Sequence, residues 1–263
     1  MKISAIGSVY VKENPSNLKE SLESIVVQKK YLHEILIVID GKIDEDLQSV
    51  IDDFSNEIRV ITLKKNLGLA NALNVGISNS TGDYILRFDS DDINLSNRVL
   101  KLKKYAVSNP NIDIIGSWIK EFGVSELTRQ TPSSNSEVYE LMNLKCPVNH
   151  PSVMFKKQVW VKNDGYDVNV FPEDYFFWLK ARFNKMTFHN IQESLVLMRT
   201  TEDFYRRRSG VNYLFKEIKF LIVAYRNSLI KLKFVLFQIL IKIPIRLLPN
   251  YLFIIIYKKM RKE

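Results

Sequence analysis

One cysteine, Cys146, occurs in 263 residues, and that count excludes an internal disulfide. A lone thiol fits a reducing compartment. The chain also lacks a run of about 20 charge-free apolar residues, the length that a spanning helix needs. Its longest charge-free stretches near the C-terminus, 234–241 and 247–257, are too short, and the second contains Pro249 and Asn250. No glycine occurs in SVYVKENPSN, residues 8–17, so the first strand is not followed by a glycine-rich phosphate loop. There is no internal repeat and no low-complexity segment. The opening MKISAIGSVYVKENP does not read as a signal peptide. Its apolar stretch is short, is interrupted by Ser4 and Ser8, and has no small-residue cleavage site. The expectation is a cytoplasmic location.

Hydrophobic residues make up 46% of the chain, enough for a sizeable core in one large domain or one domain with an appendage. The net charge of +9 is unevenly placed. Residues 206–263 hold 14 Lys/Arg against Glu217 and Glu263, a net +12, whereas residues 1–205 hold 24 against 27 acids, a net −3. A nucleic-acid enzyme places positive charge along its working groove. Here the basic charge lies in the tail, which speaks for an anionic surface and against nucleic acid.

The first half alternates strand and helix patterns. Residues 2–11 and 34–39 (EILIVI) read as strands, the second as a fully buried parallel one. Leu18, Leu22, Ile25 and Val26 recur at helical spacing, as do Leu47, Val50, Ile51 and Phe54. A strand over 58–63, a helix opened by Gly68 in NLGLANALNVG, a strand over 84–88 and a helix over about 95–107 follow. This succession predicts βαβ units on a mostly parallel sheet, with ligands beyond the carboxyl ends of the strands, where Asp40 and Asp89 fall. Farther on, 113–122, 152–155 and 194–198 read as strands and 173–184 (EDYFFWLKARFN) as a helix.

The strand YILRF runs into Asp89, Ser90, Asp91 and Asp92. Extended residues i and i+2 point the same way, so Asp89 and Asp91 can reach one bound object. Clustered carboxylates repel and retain protons unless a cation intervenes, and such hard oxygen ligands suit Mg²⁺ or Mn²⁺ shared with substrate phosphates. The competing reading is an acidic turn in which Asp92 or Asn94 caps the next helix.

Taken in order, SVYVKENPSNLKESLESI, the Asp40-Gly41 strand end, NLGLANALNVG, YILRFDSDD, NHPSVMF and PEDYFFWLKA resemble family 2 glycosyltransferases of the GT-A fold over roughly residues 3–200. The wording is particularly similar to bacterial O-antigen and exopolysaccharide transferases of the amylovoran type. The resemblance implies an α/β GT-A domain over 1–205, with a nucleotide-binding half (1–110) and an acceptor half (111–205). It implies an inverting hexosyltransferase that carries galactose or glucose from a UDP-sugar to a polyprenyl-diphosphate-linked acceptor, giving a β-linkage.

Site roles follow from the same resemblance. Val9, Tyr10 and Glu13 would line the nucleotide pocket, Asp40 would accept from the uracil, and Lys65, Asn66 and Gly68 would sit near the nucleoside. Asp89 would meet the ribose or the metal, with Ser90 beside the nucleotide. Asp91 would be the main metal ligand, and in the Glu173-Asp174 pair Asp174 would be the catalytic base. The residues make sense by themselves: Gly68 permits a tight turn and close backbone approach, and Asn66 offers donors and acceptors. Apolar neighbours at the start of an aromatic helix raise a carboxyl pKa toward that of a general base. In isolation, loop, cap and helix-dipole roles serve these residues as well.

The chain departs from the pattern in RTTEDFYRRRSG, residues 199–210, which lacks the His that many relatives carry after the last core strand. Arg199 or Arg206, Arg207 and Arg208 offer phosphate-binding forks instead, or form a basic patch at a membrane. His150 is a candidate acceptor-site residue and equally a structural one, and Trp118, Trp160 and Trp178 read as core as readily as sugar platforms. In the tail, 206–263, Lys231, Gln238, Lys242 and Arg246 share one side of a helical wheel that Leu232, Leu236, Phe237, Ile239, Leu240 and Ile243 otherwise fill. This predicts a helix lying in the membrane interface, aided by the basic YKKMRKE end, so that the protein sits peripherally on the inner face of the cell membrane. The alternative is that the segment packs onto the body. Two other functions stay open at this point: a sugar nucleotidyltransferase, disfavoured by the glycine-free loop, and a non-catalytic membrane-bound sugar-binding protein.

Overall fold

The structure, a computed structural model, describes residues 1–249 and 252–256; YKKMRKE lies outside them. Strand β1 (Ile3–Val9) leads into helix α1 (Pro15–Val26), capped by Asn14, whose side chain accepts from the Ser16 N–H at 2.8 Å. β2 (Glu34–Ile39), α2 (Glu45–Asp53), β3 (Arg59–Thr62), α3 (Leu69–Asn79) and β4 (Tyr84–Arg87) continue the alternation. A short β5 (Ile93–Asn94) precedes α4 (Arg98–Ser108). The second half adds β6 (Ile114–Gly123), β7 (Thr128–Arg129), α5 (Asn135–Leu141), β8 (Met154–Lys156), α6 (Lys157–Lys162), α7 (Glu173–Phe183) and β9 (Phe188–Thr200). Helices α8 (Glu202–Arg206), α9 (Gly210–Arg226) and α10 (Leu232–Arg246) follow.

The strands form one sheet in the order β3-β2-β1-β4-β8-β6-β9-β5, with β7 paired to β6. β1, β2, β3 and β4 are mutually parallel, so their carboxyl ends share a rim; β8 runs antiparallel between β4 and β6, and β6 is parallel to β9. Alternation along β2 divides the core. Ile35, Ile37 and Ile39 join Leu18 and Leu22 of α1, Leu47 of α2 and Leu102 of α4, whereas Leu36 and Val38 join Ala72 and Leu73 of α3 and the aromatics of α7. Each face is covered by helices, which is why β2 is apolar throughout instead of alternating. The mixed α/β architecture matches the sequence expectation. The strand expected over 194–198 is part of a longer one, Phe188–Thr200, which pairs along β6 on both sides of a register shift at Trp118.

In the tail, α9 and α10 pack onto the body. Phe220, Leu221 and Ala224 of α9 and Val235 of α10 belong to the same core as Trp178 and Phe177. Of the polar stripe, Gln238, Lys242 and Arg246 turn toward the body, while Lys231 is exposed. Gln238 donates to the Asn143 carbonyl at 2.9 Å, and Arg246 and Lys242 both reach Glu217 of α9, at 2.7 and 3.3 Å. Gln238 and Arg246 are 3% and 7% exposed, while Leu236 and Leu240 are 59% and 74% exposed. A wheel shows which residues share a side, not which side meets the body. The Glu217 carboxylate, itself 7% exposed, recruits the cations. Among the described residues no helix is long and apolar enough to cross a membrane.

Candidate active site

The rim of the sheet gathers most of the expected residues. Asp40 follows β2, where its N–H donates to the Val9 carbonyl at 2.8 Å and its carboxylate accepts from the N–H groups of Leu67 and Gly68 at 2.7 and 2.9 Å. It therefore holds the loop that opens α3. Val9 has a fully buried side chain inside the core, so only its backbone faces the rim; Tyr10, Lys65 and Asn66 are exposed there. Gly68 has φ +88° but nothing within 4 Å of where a Cβ would stand, so its role is the turn alone. The close backbone approach expected of it belongs to Gly41, φ +91°, whose Cβ would come 2.5 Å from the Asn66 nitrogen.

Beyond β4 the chain turns sharply. Asp89, Asp91 and Asp92 each offer a carboxylate oxygen, all within 4.8 Å of one another. The turn adds Asp92, which sequence spacing placed only as a helix cap. α4 begins at Arg98 without a side-chain cap, so the competing reading of the acidic run as a cap does not hold. Asn94 instead pairs with Ser24 of α1 through its N–H and its side-chain amide, each 2.9 Å from Oγ. The acidic turn is held from outside. Ser21 donates to the Asp89 carbonyl at 2.6 Å, Ser90 donates to Glu13 at 2.5 Å, and the Arg199 N–H donates to Asp92 at 2.8 Å. The Arg199 guanidinium donates to the Asp91 carbonyl at 3.1 Å and to Glu20 at 2.5 Å, stacked on Phe122. Arg199 thus clamps the turn.

Electrostatics mark the cluster. Burial, then the nearby Asp89 and Glu13, push the Asp91 carboxyl up to about 7. Burial, then Asp89 and Asp91, hold Asp92 well above the usual carboxylate range, and its Oδ2 is buried without a partner among the described residues. Three converging oxygens, with one carboxylate oxygen orphaned and two groups raised by crowding, form the donor set that a divalent cation relieves. The residues fit Mg²⁺ or Mn²⁺.

The second acidic pair, Glu173 and Asp174, starts α7. Burial and Asp174 push Glu173 up to about 7, and burial raises Asp174 although it accepts from the Tyr175 N–H at 2.8 Å. Sequence reasoning missed the cation whose charge both acidic sites feel. Arg87, at the end of β4, is 4% exposed and forks onto both oxygens of Asp89. Its charge also pulls the Asp91, Asp92, Glu173 and Asp174 carboxyls downward. The available signal was an arginine inside an apolar strand, since buried arginine requires partners. Beneath it, Arg98 donates to the Arg87 carbonyl at 2.7 Å, and burial with Arg87 nearby draws Arg98 down to about 9.

None of the other candidates joins the Asp89-Asp91-Asp92 cluster itself. His150 is buried, 3.0 Å from the Tyr166 hydroxyl and edge-on to Trp178; burial and Arg87 keep it neutral. Trp178 is core, and Trp118 and Trp160 donate to the Thr131 carbonyl and to Asn74 at 3.1 and 2.9 Å. Arg208 stacks on Phe204 at 3.7 Å, Arg207 contacts the Asp203 carbonyl at 3.4 Å, and Arg206 is exposed.

Comparison with known proteins agrees with this geometry. Residues 8–166 match the family model for glycosyl transferase family 2. The chain is 36% identical to the Escherichia coli UDP-Gal:alpha-D-GlcNAc-diphosphoundecaprenol beta-1,3-galactosyltransferase, covering 98% of this chain and 96% of that one. It is 32% identical to the Erwinia amylovora amylovoran biosynthesis glycosyltransferase AmsE, covering 98% and 99%. The fold resembles that of S. aureus TarS 1-349 in complex with UDP-GlcNAc, with a TM-score of 0.67, 20% identity, and coverage of 84% of this chain and 66% of that chain. With its sheet rim, its paired acidic sites and these relatives taken together, the chain belongs to glycosyl transferase family 2 and is a hexosyltransferase.

Proposed function

We propose that this chain transfers a hexose, galactose in the first instance and glucose as the alternative, from its UDP-sugar to a polyprenyl-diphosphate-linked sugar, with inversion to a β-linkage, in the assembly of a bacterial surface polysaccharide. The observation that carries this reading is the Asp89-Asp91-Asp92 cluster, its carboxylate oxygens within 4.8 Å of one another and Asp89 forked by Arg87, whose charge is also felt by the Glu173-Asp174 pair. Two acidic sites so linked suit a diphosphate on one side and an acceptor hydroxyl on the other. The E. coli relative, similar over nearly its whole length, supports the donor and the acceptor.

In this mechanism Asp174 takes the proton from the acceptor hydroxyl. The freed oxygen attacks the anomeric carbon from the face opposite UDP, the bond from that carbon to the diphosphate oxygen breaks, and UDP leaves with the electron pair. Asp91 and Asp92, with Asp89, would hold Mn²⁺ or Mg²⁺, which supplies charge neutralisation for the leaving diphosphate. Arg87 fixes Asp89 and keeps the crowded carboxylates in place. Val9, through its backbone, and Tyr10, Glu13, Asp40, Lys65, Asn66, Gly68 and Ser90 form the nucleotide side. Asp40 keeps lone pairs for the base while bracing the Leu67-Gly68 loop.

The outward apolar stripe of α10 and its C-cap (Leu236, Leu240 and Leu247) and the +12 charge of residues 206–263 support peripheral attachment to the cytoplasmic face of the membrane. A donor screen against a synthetic lipid-diphosphate sugar acceptor, with Mn²⁺ or EDTA, tests the assignment, and NMR of the product gives the linkage. Nucleotide binding without turnover on any UDP-sugar would sink it.

A further inference from the structure

Outside the acidic centre, a cavity of about 580 Å³ lies between the 129–149 segment, the start of α7, and helices α9 and α10. Its wall is of two kinds. Leu141, Phe220, Phe237, Ile241 and Ile245 give an apolar surface. Arg129, Lys145, Lys242 and Arg246 give four positive groups against one acid, Glu217, which pairs with both Lys242 and Arg246. Among the described residues, neither Arg129 nor Lys145 has an ion-pair partner, so the excess positive charge lies on the 129–149 side. A cavity that is apolar along one wall and basic along another complements an amphiphilic anion.

Two relationships place this cavity in the reaction. Pro172 and Tyr175, which flank Glu173 and Asp174 in the chain, form part of its wall, and Arg129 is near enough to draw the Asp174 carboxyl down. Phe237 and Ile241 line the cavity and are also 49% and 38% exposed, next to Leu236 and Leu240 on the outward stripe. Phe237 and Ile241 therefore belong both to the cavity wall and to the outer face of α10.

We infer that this cavity holds the lipid-diphosphate part of the acceptor, with Arg129 and Lys145 binding the diphosphate and the inner side of α10 receiving the first prenyl units, so that the attached sugar projects toward Asp174. The inference rests on the lipid-linked acceptor reading above. The tail then serves twice, since α10 is a wall of the substrate site as well as a membrane-facing element. Arg129 and Lys145 become specificity-determining residues, because an acceptor sugar without the diphosphate gains nothing from them.

The test uses the full-length protein and farnesyl diphosphate as a probe, followed by calorimetry in detergent, with farnesol and inorganic diphosphate as controls. Farnesyl diphosphate should bind more tightly than either control and should not be displaced by UDP. Lys145→Gln, at an exposed position, and Arg129→Gln should each weaken it by roughly tenfold or more, the cost of one charge-assisted contact. In transfer assays the same variants should raise the KM for a diphosphate-linked acceptor while shifting the KM for an alkyl glycoside of the same sugar much less. Displacement of the probe by UDP, or equal losses on both acceptors, would overturn the cavity assignment. Failure of the wild-type protein to use any diphosphate-linked acceptor, while it glycosylates the alkyl glycoside, would instead overturn the acceptor reading on which the inference rests.

Discussion

Arg87 donates to both carboxylate oxygens of Asp89, Nη1 lying 2.7 Å from Oδ2, and the guanidinium that makes this fork is buried at the end of β4. The pair sits where two acidic groups would otherwise repel one another. Its buried positive charge is offset by the carboxylates around it, and they in turn depend on it. Truncating one partner of such a pair leaves the other charges uncompensated. Arg87→Met should therefore cost about 3 kcal/mol of stability, read from denaturant midpoints at neutral pH. Added Mn²⁺ should restore part of the loss. A variant as stable as the parent would refute this role for Arg87.

Asp91 is held near neutrality by burial and by the carboxylates beside it, so it strains the fold in the absence of a cation. Asp91→Asn should leave the metal-free protein as stable as the parent or more so. It should also reduce kcat/KM by roughly a hundredfold or more, the scale for losing one group that stabilises transition-state charge. Mn²⁺-dependent UDP binding, followed by calorimetry, should vanish with it. Retained turnover would reject Asp91 as the principal ligand.

Asp174→Asn should lower kcat by about 10²- to 10⁴-fold with little change in donor KM, since in the proposed mechanism it removes a proton acceptor and not a nucleotide contact. A large change in donor KM with normal kcat would move the base elsewhere.

The acidic pair at α7 also sets a pH dependence. Glu173 stands at about 7 against its ordinary 4.5, and Asp174 is raised too. A carboxyl whose folded pKa is raised adds stability that is fully present below its unfolded value and is lost as pH rises through the folded one. The metal-free protein should thus melt at a higher temperature near about pH 5 than near about pH 7.5, and Glu173→Gln should flatten that slope. Activity runs the other way: a base must be unprotonated, so kcat/KM should fall as pH is lowered, and the raised Asp174 carboxyl moves that fall above the usual carboxylate range. Thermal scans and pH–rate profiles check both signs, and a melting temperature that climbs over this window would contradict the first.

Leu236 and Leu240 face outward, 59% and 74% exposed, and contribute little to the core. The double substitution Leu236→Ser, Leu240→Ser should leave the melting temperature unchanged. It should reduce flotation with anionic phospholipid vesicles by at least roughly tenfold, because each leucine buried in lipid is worth about 2 kcal/mol. Undiminished flotation would mean that another surface meets the bilayer.

Much of this was legible in one dimension. The continuous apolar run of β2 announced a strand covered on both faces, and the ordered motifs brought the rim residues and the α7 acids into one family pattern. Local periodicity and turn chemistry carry that information because they depend on neighbours in the chain. The acidic turn was visible, but Asp92 joined it only because the backbone bends after Asp89, where the extended i, i+2 rule no longer applies.

What the sequence determined by itself was the alternation of strand and helix, the parallel half of the sheet, and the placing of carboxylates at strand ends. Tertiary structure alone decided what each polar group meets. It forked Arg87 onto Asp89, engaged Asp40 with the Leu67-Gly68 loop, and turned Gln238 and Arg246 inward while leaving Leu240 outside. The reason is physical. Periodicity fixes which side chains share a face, but the choice between water and body depends on partners distant in the chain, such as Glu217 for Arg246, whose attraction acts only once the elements have packed.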